Sequence, residues 1–195
     1  MIKSAGLLFV NCLIFFLLAP LESFAAHVLY MSEKEAIEWA FPKADQIEEK
    51  VLTLTREEST AVEAETSARV YEGDKKIYIG KKGKKVQGYA VITNEIGKFE
   101  LITFIVKVTP NLKVEKVALM VYRESRGGEI VRKRFLNQYK GKRRSNPLRI
   151  NHDIINITGA TMSVRSLNRG IRKVLVLIED YLMPQLKNVK ENAPT

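Results

Sequence analysis

Thr158-Gly159-Ala160-Thr161-Met162-Ser163-Val164-Arg165-Ser166-Leu167-Asn168-Arg169-Gly170-Ile171-Arg172-Lys173-Val174-Leu175-Val176-Leu177-Ile178 joins a loop of small residues to a long amphipathic run. From Ser163 onward, Val164, Leu167, Ile171, Val174, Leu175, Ile178, Tyr181 and Leu182 recur at spacings of three and four, while Arg165, Arg169, Arg172 and Lys173 fall largely on the other side. The spacing predicts one long helix with a buried face. Its first turn leaves N–H groups unpaired and carries about half a positive charge, so an anion at Thr161 meets donors and a favourable dipole. Thr158, Gly159, Ala160 and Ser163 leave the Thr161 hydroxyl accessible. The same residues also suit an ordinary helix N-cap, and alone they leave both readings open.

Upstream, Ser32 with Glu35 forms a capping box that opens a short helix through Phe41, closed by Pro42. Trp39 in that helix reads as a packing residue. Thr55 with Glu58 forms a second box, opening a helix towards Ala68. Residues 69–79, 84–94, 101–108 and 113–122 are apolar or alternating and rich in β-branched types, punctuated by Gly, Asn and Pro, which predicts consecutive antiparallel strands. A basic, partly helical segment follows from Ile130 to Tyr139 and leads back to the loop before Asp153. The fold class expected is α+β: a twisted, mostly antiparallel sheet flanked by helices and closed by the long C-terminal helix.

A second motif, Glu124-Ser125-Arg126-Gly127-Gly128-Glu129, follows the strand-like Val117–Tyr122. It reads either as a tight charged turn or as a loop whose glycines let the backbone approach a flat ligand. Together the two motifs resemble the covalent FMN-binding domain of the flavin subunits of the sodium-translocating NADH:quinone oxidoreductase and of the Rnf-type electron-transport complexes. That family carries Ser/Thr-Gly-Ala-Thr followed by a hydroxyl residue and, before it, a Glu-Thr-Pro-Gly-Leu-Gly loop; here the two motifs stand in the same order about thirty residues apart. The resemblance spans roughly Gly88 to Tyr181 and includes Gly97-Lys98 with Ile102-Thr103-Phe104, where Lys98 is a further candidate contact.

The resemblance implies FMN esterified through its phosphate to Thr161 by an extracytoplasmic flavin transferase that uses FAD as donor. It implies that Thr158, Gly159, Ala160 and Ser163 surround the attachment, and that Glu124, Ser125, Arg126, Gly127 and Gly128 lie against the isoalloxazine ring. Two departures stand out. Arg126 and Gly128 replace the Pro and Leu of the family loop, and Ile155 stands where an Asp is usual six residues before the acceptor, with Asp153 and Asn156 as nearby polar residues.

Lys3, the apolar run from Ala5 to Ala19, and Ser23-Phe24-Ala25 read as a secretory signal peptide over residues 1–25, or as an uncleaved anchor. Residues 26–184 then form one domain with its core in about 69–184, and the polar tail 185–195 is expected to be disordered. Cys12 is the only cysteine and leaves with the signal, so the mature chain has no thiolate and its redox chemistry requires an added cofactor. His27 and His152 are the only histidines, which argues against a histidine triad and against a metal site.

Cleavage removes one Lys and one Glu and leaves the net charge at +10. The basic runs 81–85 and 140–144 read as solvated turns, or as surfaces for an acidic redox partner or anionic headgroups. Export and the lack of interleaved aromatics speak against nucleic acid. Three functions are compatible with the chain. The first is an extracytoplasmic FMN-binding electron-transfer protein served by redox partner proteins. The others are a flavin-dependent reductase with its own small substrate and a flavin-free basic module for a membrane or protein surface.

Overall fold

A computed structural model of the chain describes residues 28–191; the signal peptide read over residues 1–25 and the last four residues of the polar tail lie outside them. The described chain runs β1 (Val28–Leu29), α1 (Glu33–Ala40), β2 (Gln46–Leu54), α2 (Arg56–Thr66), β3 (Gly73–Lys82), β4 (Lys85–Ile96), β5 (Leu101–Val108), β6 (Val114–Tyr122), α3 (Lys133–Leu136), α4 (Thr161–Val176) and α5 (Met183–Glu191). A six-stranded open sheet has the order β1-β6-β5-β4-β3-β2, with every neighbour antiparallel. The architecture is α+β, and β3 to β6 form the expected meander.

Both capping boxes form. Ser32 and Thr55 each accept the backbone N–H three residues on, and Glu35 and Glu58 reach back to the cap N–H. Strand β2 escapes the sequence reading because only Leu52 and Leu54 of its nine residues are buried, which blurs the alternation. It is an edge strand, so pairing to β3 rather than side-chain burial holds most of it in place.

Helix α4 lies on one face of the sheet. Its apolar stripe, Val164, Leu167, Ile171 and Val174, packs on Ile77, Ile79, Val91, Ile102 and Phe104, all buried. Each such side chain contributes about 1.5–3 kcal/mol by leaving water. Helix α1 covers the opposite face through Ala36, Ala40 and Phe41 against Tyr78, Ala90 and Ile105. After Val176 the chain takes a π-helical turn (Leu177–Leu182) and continues as α5 to Glu191. The helix therefore continues past Pro184, and Leu186, one turn after Leu182, packs on the same core.

The sheet forks between β3 and β4. They pair from Tyr78 to Lys82, while the first half of β3 pairs with β2 alone. The Lys173 ammonium sits in the fork, 2.5 Å from Glu95 Oε1 and 3.3 Å from the carbonyls of Arg69 and Asn94. Burial raises the Glu95 pKa, and Lys173 and Arg169 oppose the rise.

Candidate functional site

Thr161 is the first residue of α4, and Ala160 occupies the N-cap position with no side chain capping the helix. The capping reading therefore fails: a methyl group satisfies no backbone donor, and no side chain bonds the first-turn N–H groups in its place. The Asn156 amide nitrogen donates to Thr161 Oγ1 at 2.9 Å, and the threonine is partly exposed. Asn156 Oδ1 is buried with no partner among the described residues. Thr158 and Gly159 are exposed in the turn before the helix, and Ala160 is buried.

The second motif reaches the first through Tyr122, the last residue of β6. Its hydroxyl lies 2.5 Å from the Arg126 carbonyl, which takes its single proton, so the Ser163 hydroxyl at 3.0 Å is the donor to the phenol oxygen. Burial is the chief cause of the upward shift of the Tyr122 pKa, which keeps the phenol protonated. Gly127 adopts φ +81°, and a Cβ there would lie 2.7 Å from the Ala160 Cβ. Only glycine fits this crossing point of the two loops.

A third segment is tied in by Glu124. Its Oε1 accepts the backbone N–H groups of Lys98, Phe99 at 2.8 Å and Glu100 at 3.1 Å. The carboxylate occupies the place a side chain at Gly97 would take, so a larger residue there would push Glu124 off the turn. Residues 97–100, 124–128 and 155–162 thus form one connected rim. Each outer segment carries exposed apolar surface: Phe99 is 74% exposed, Ile155 75% and Met162 39%.

The residues singled out in the sequence take different positions on this rim. Ser125 and Arg126 are exposed, and Gly128 has open space beside it. Ser163 is buried and its hydroxyl is spent on Tyr122, away from the Thr161 oxygen. Glu124 shapes the neighbouring turn through its carboxylate. The Lys98 ammonium lies 4.7 Å over the Phe99 ring. Of the two polar residues near Ile155, only Asn156 reaches Thr161. Asp153 instead accepts from Arg149 N at 2.8 Å, Leu148 N at 3.3 Å and Lys142 Nζ at 3.1 Å. The Ile155 N–H donates to Gln138 Oε1 at 2.7 Å. Tyr122 was not singled out in the sequence, where a tyrosine ending an apolar strand gives no signal of its own.

This rim fits FMN. A reachable hydroxyl at an uncapped helix start suits a phosphate, and glycine backbone beside exposed apolar side chains suits a flat ring. No curated protein matches the chain. Among solved structures, the crystal structure of Shewanella oneidensis NqrC is similar, with a TM-score of 0.54 and 14% sequence identity over 76% of this chain and 86% of that one. That likeness concerns the fold. The FMN-binding domain family model matches residues 71–176, which contain both motifs and the whole rim, and the chain therefore belongs to the FMN-binding domain family.

Proposed function

We propose that this protein is an extracytoplasmic electron carrier whose FMN is esterified to Thr161 by a flavin transferase. When bound, FMN supplies reversible electron uptake and release. The carrying observation is the Thr161 hydroxyl itself: partly exposed, hydrogen-bonded to Asn156 at 2.9 Å, and set at a helix start that no side chain caps. In the attachment the Thr161 oxygen forms a bond to the FMN phosphorus of FAD, AMP leaves, and the hydroxyl proton passes to a base on the transferase. The helix then neutralises part of the phosphoester charge with its first-turn N–H groups.

The other residues keep the ring in place and tune it. The Gly127–Gly128 backbone would offer N–H groups to the ring, and Arg126 would add positive charge that favours an anionic reduced ring. A tether suits export, since outside the cytoplasm free FMN is dilute and a covalent bond keeps the carrier loaded in every redox state. Redox partner proteins, reached through the exposed rim around Phe99 and Ile155, would deliver and collect the electrons.

Intact mass of the exported protein, made with and without an active FMN transferase, tests the reading. A transferase-dependent gain of one FMN less water, mapped to the Thr161 peptide and absent in Thr161→Val, is expected. A gain that survives Thr161→Val would sink the assignment. No gain at all, with the transferase active on a control substrate, would leave noncovalent FMN as the working form.

A further inference from the structure

The face of α4 that begins at Thr161 continues through Arg165, Asn168 and Arg172 at steps of four, three and four residues, with Arg169 alongside. At ~1.5 Å per residue, Arg165 lies about 6 Å and Arg172 about 16 Å along the axis from Thr161. Beside this stripe is a cleft of about 370 Å³ lined by Arg149, Arg165, Arg169 and Arg172, with Ser67 and Leu148 on its walls. Every charged residue of the lining is an arginine.

Only one of the four has a carboxylate neighbour among the described residues. Arg169 Nε is 3.9 Å from Glu95, but that carboxylate is already held by Lys173 at 2.5 Å. Arg169 otherwise donates to the Ile96 carbonyl at 3.2 Å and Ser166 Oγ at 3.0 Å, and Arg172 donates to the Pro147 carbonyl. These neutral acceptors fix two guanidinium groups without discharging them, and they use only some of the five N–H donors on each. Arg149 and Arg165 are exposed and have no carboxylate partner among the described residues. The opposing group at the rim is the C-terminal end of α2 at Thr66, worth about half a negative charge against four positive ones.

The wall carrying Arg149 is built at some conformational cost. Leu148 and Asn151 both adopt left-handed φ, +45° and +62°, and Asp153 holds the turn by accepting the N–H groups of Leu148 and Arg149. A solvated basic face needs neither a pinned loop nor half-buried arginines.

We propose that this cleft is a second anion site, beginning one helical turn from Thr161, that takes a phosphate-bearing ligand between the arginine forks. Guanidinium groups match phosphate oxygens in pairs and stay charged at every physiological pH. The phosphate comes from a soluble phosphate compound or from a phospholipid headgroup. The site is separate from flavin attachment and is tested separately.

The experiment uses the exported chain. Calorimetric titration with pyrophosphate reads the soluble source. Co-sedimentation with phosphatidylcholine vesicles, with and without phosphatidylglycerol, reads the headgroup source. The double variant Arg149→Gln/Arg165→Gln alters two exposed side chains that have no carboxylate partner among the described residues, Arg165 donating only to Met162 Sδ at 4.0 Å. Lys84→Gln/Lys85→Gln removes the same charge from the β3–β4 hairpin. Whichever probe binds, affinity should fall at least about tenfold in the arginine variant and about twofold or less in the lysine variant. NMR shifts of the Arg169 and Arg172 Nε–H signals on addition of the same probe to the unaltered protein give a readout that needs no variant. Pyrophosphate binding points to a soluble ligand, and binding confined to phosphatidylglycerol vesicles points to a lipid headgroup. Binding to neither, or equal losses in the two variants, overturns the proposal.

Discussion

Gly127 and Ala160 touch where the loop after β6 crosses the start of α4, so closely that a Cβ on Gly127 would sit 2.7 Å from that of Ala160. Two motifs more than thirty residues apart in sequence meet at this contact. Gly127→Ala combines a left-handed φ with that clash and should cost about 1–3 kcal/mol. Gly128→Ala, with nothing within 4 Å of the added Cβ, should be nearly neutral. Thermal melts separate the two variants, and visible spectra of the FMN-loaded proteins should change for Gly127→Ala. Equal melting temperatures would show that the crossing is not tight.

On the proposed attachment, Asn156 should govern how readily Thr161 is modified, because its amide donates to the Thr161 hydroxyl. Asn156→Val removes a hydrogen bond worth about 0.5–1.5 kcal/mol and should slow flavin transfer by roughly two- to tenfold. Mass-spectrometric time courses with a transferase measure this, and an unchanged rate would exclude a positioning role.

Glu124 ties the Gly97–Glu100 turn to the second motif with one carboxylate oxygen. Hydrogen bonds to a charged group contribute about 1.5–3 kcal/mol, so Glu124→Gln should loosen the turn while the sheet stays intact. Hydrogen exchange at Lys98, Phe99 and Glu100 should accelerate, with β5 amides unaffected. Uniform acceleration across the sheet would place the effect elsewhere.

Breaking the ion pair in the sheet fork should be costly from either side. Glu95 is 3% exposed and lies against Lys173. Glu95→Gln leaves a buried ammonium without its counter-charge, at about 3–5 kcal/mol. The double variant Glu95→Gln/Lys173→Met removes both charges and should recover part of that loss in chemical denaturation. A double variant as unstable as the sum of the single ones would argue against coupling.

Acid should loosen the loop before Thr161. Burial works against the Asp153 charge, but the Arg149 N–H, the Lys142 ammonium and the Leu148 N–H outweigh it, and the pKa falls below the ordinary aspartate value. A folded-state pKa below the unfolded one means that the folded form binds the proton less readily. The stabilisation is therefore complete above the unfolded value of about 4 and is lost as the pH falls through the folded value. Asp153→Asn should lower stability at neutral pH and flatten the acid limb of the denaturation profile. A parallel acid limb in variant and parent would contradict this.

Local sequence determined much of this protein. The capping boxes at Ser32 and Thr55, the apolar strands β3 to β6 and the three-and-four stripe of α4 are patterns of near neighbours, so spacing alone reveals them. The order of the two motifs is local in the same sense, whereas Thr161 became the acceptor candidate through the resemblance to the FMN-binding domain and not through spacing. Tertiary structure decided what the side chains do. Ser163 belongs to Tyr122, Glu124 to the Gly97 turn and Asn156 to Thr161, and only the last of these pairs lies within one loop. Strand β2 depends on a partner across the sheet for most of its length, and the arginine cleft needs α4, the 148–151 turn and the end of α2 brought together. Periodicity reports which face of an element is buried; which group finds which partner is set by contacts between residues far apart in the chain, which leave no periodic trace.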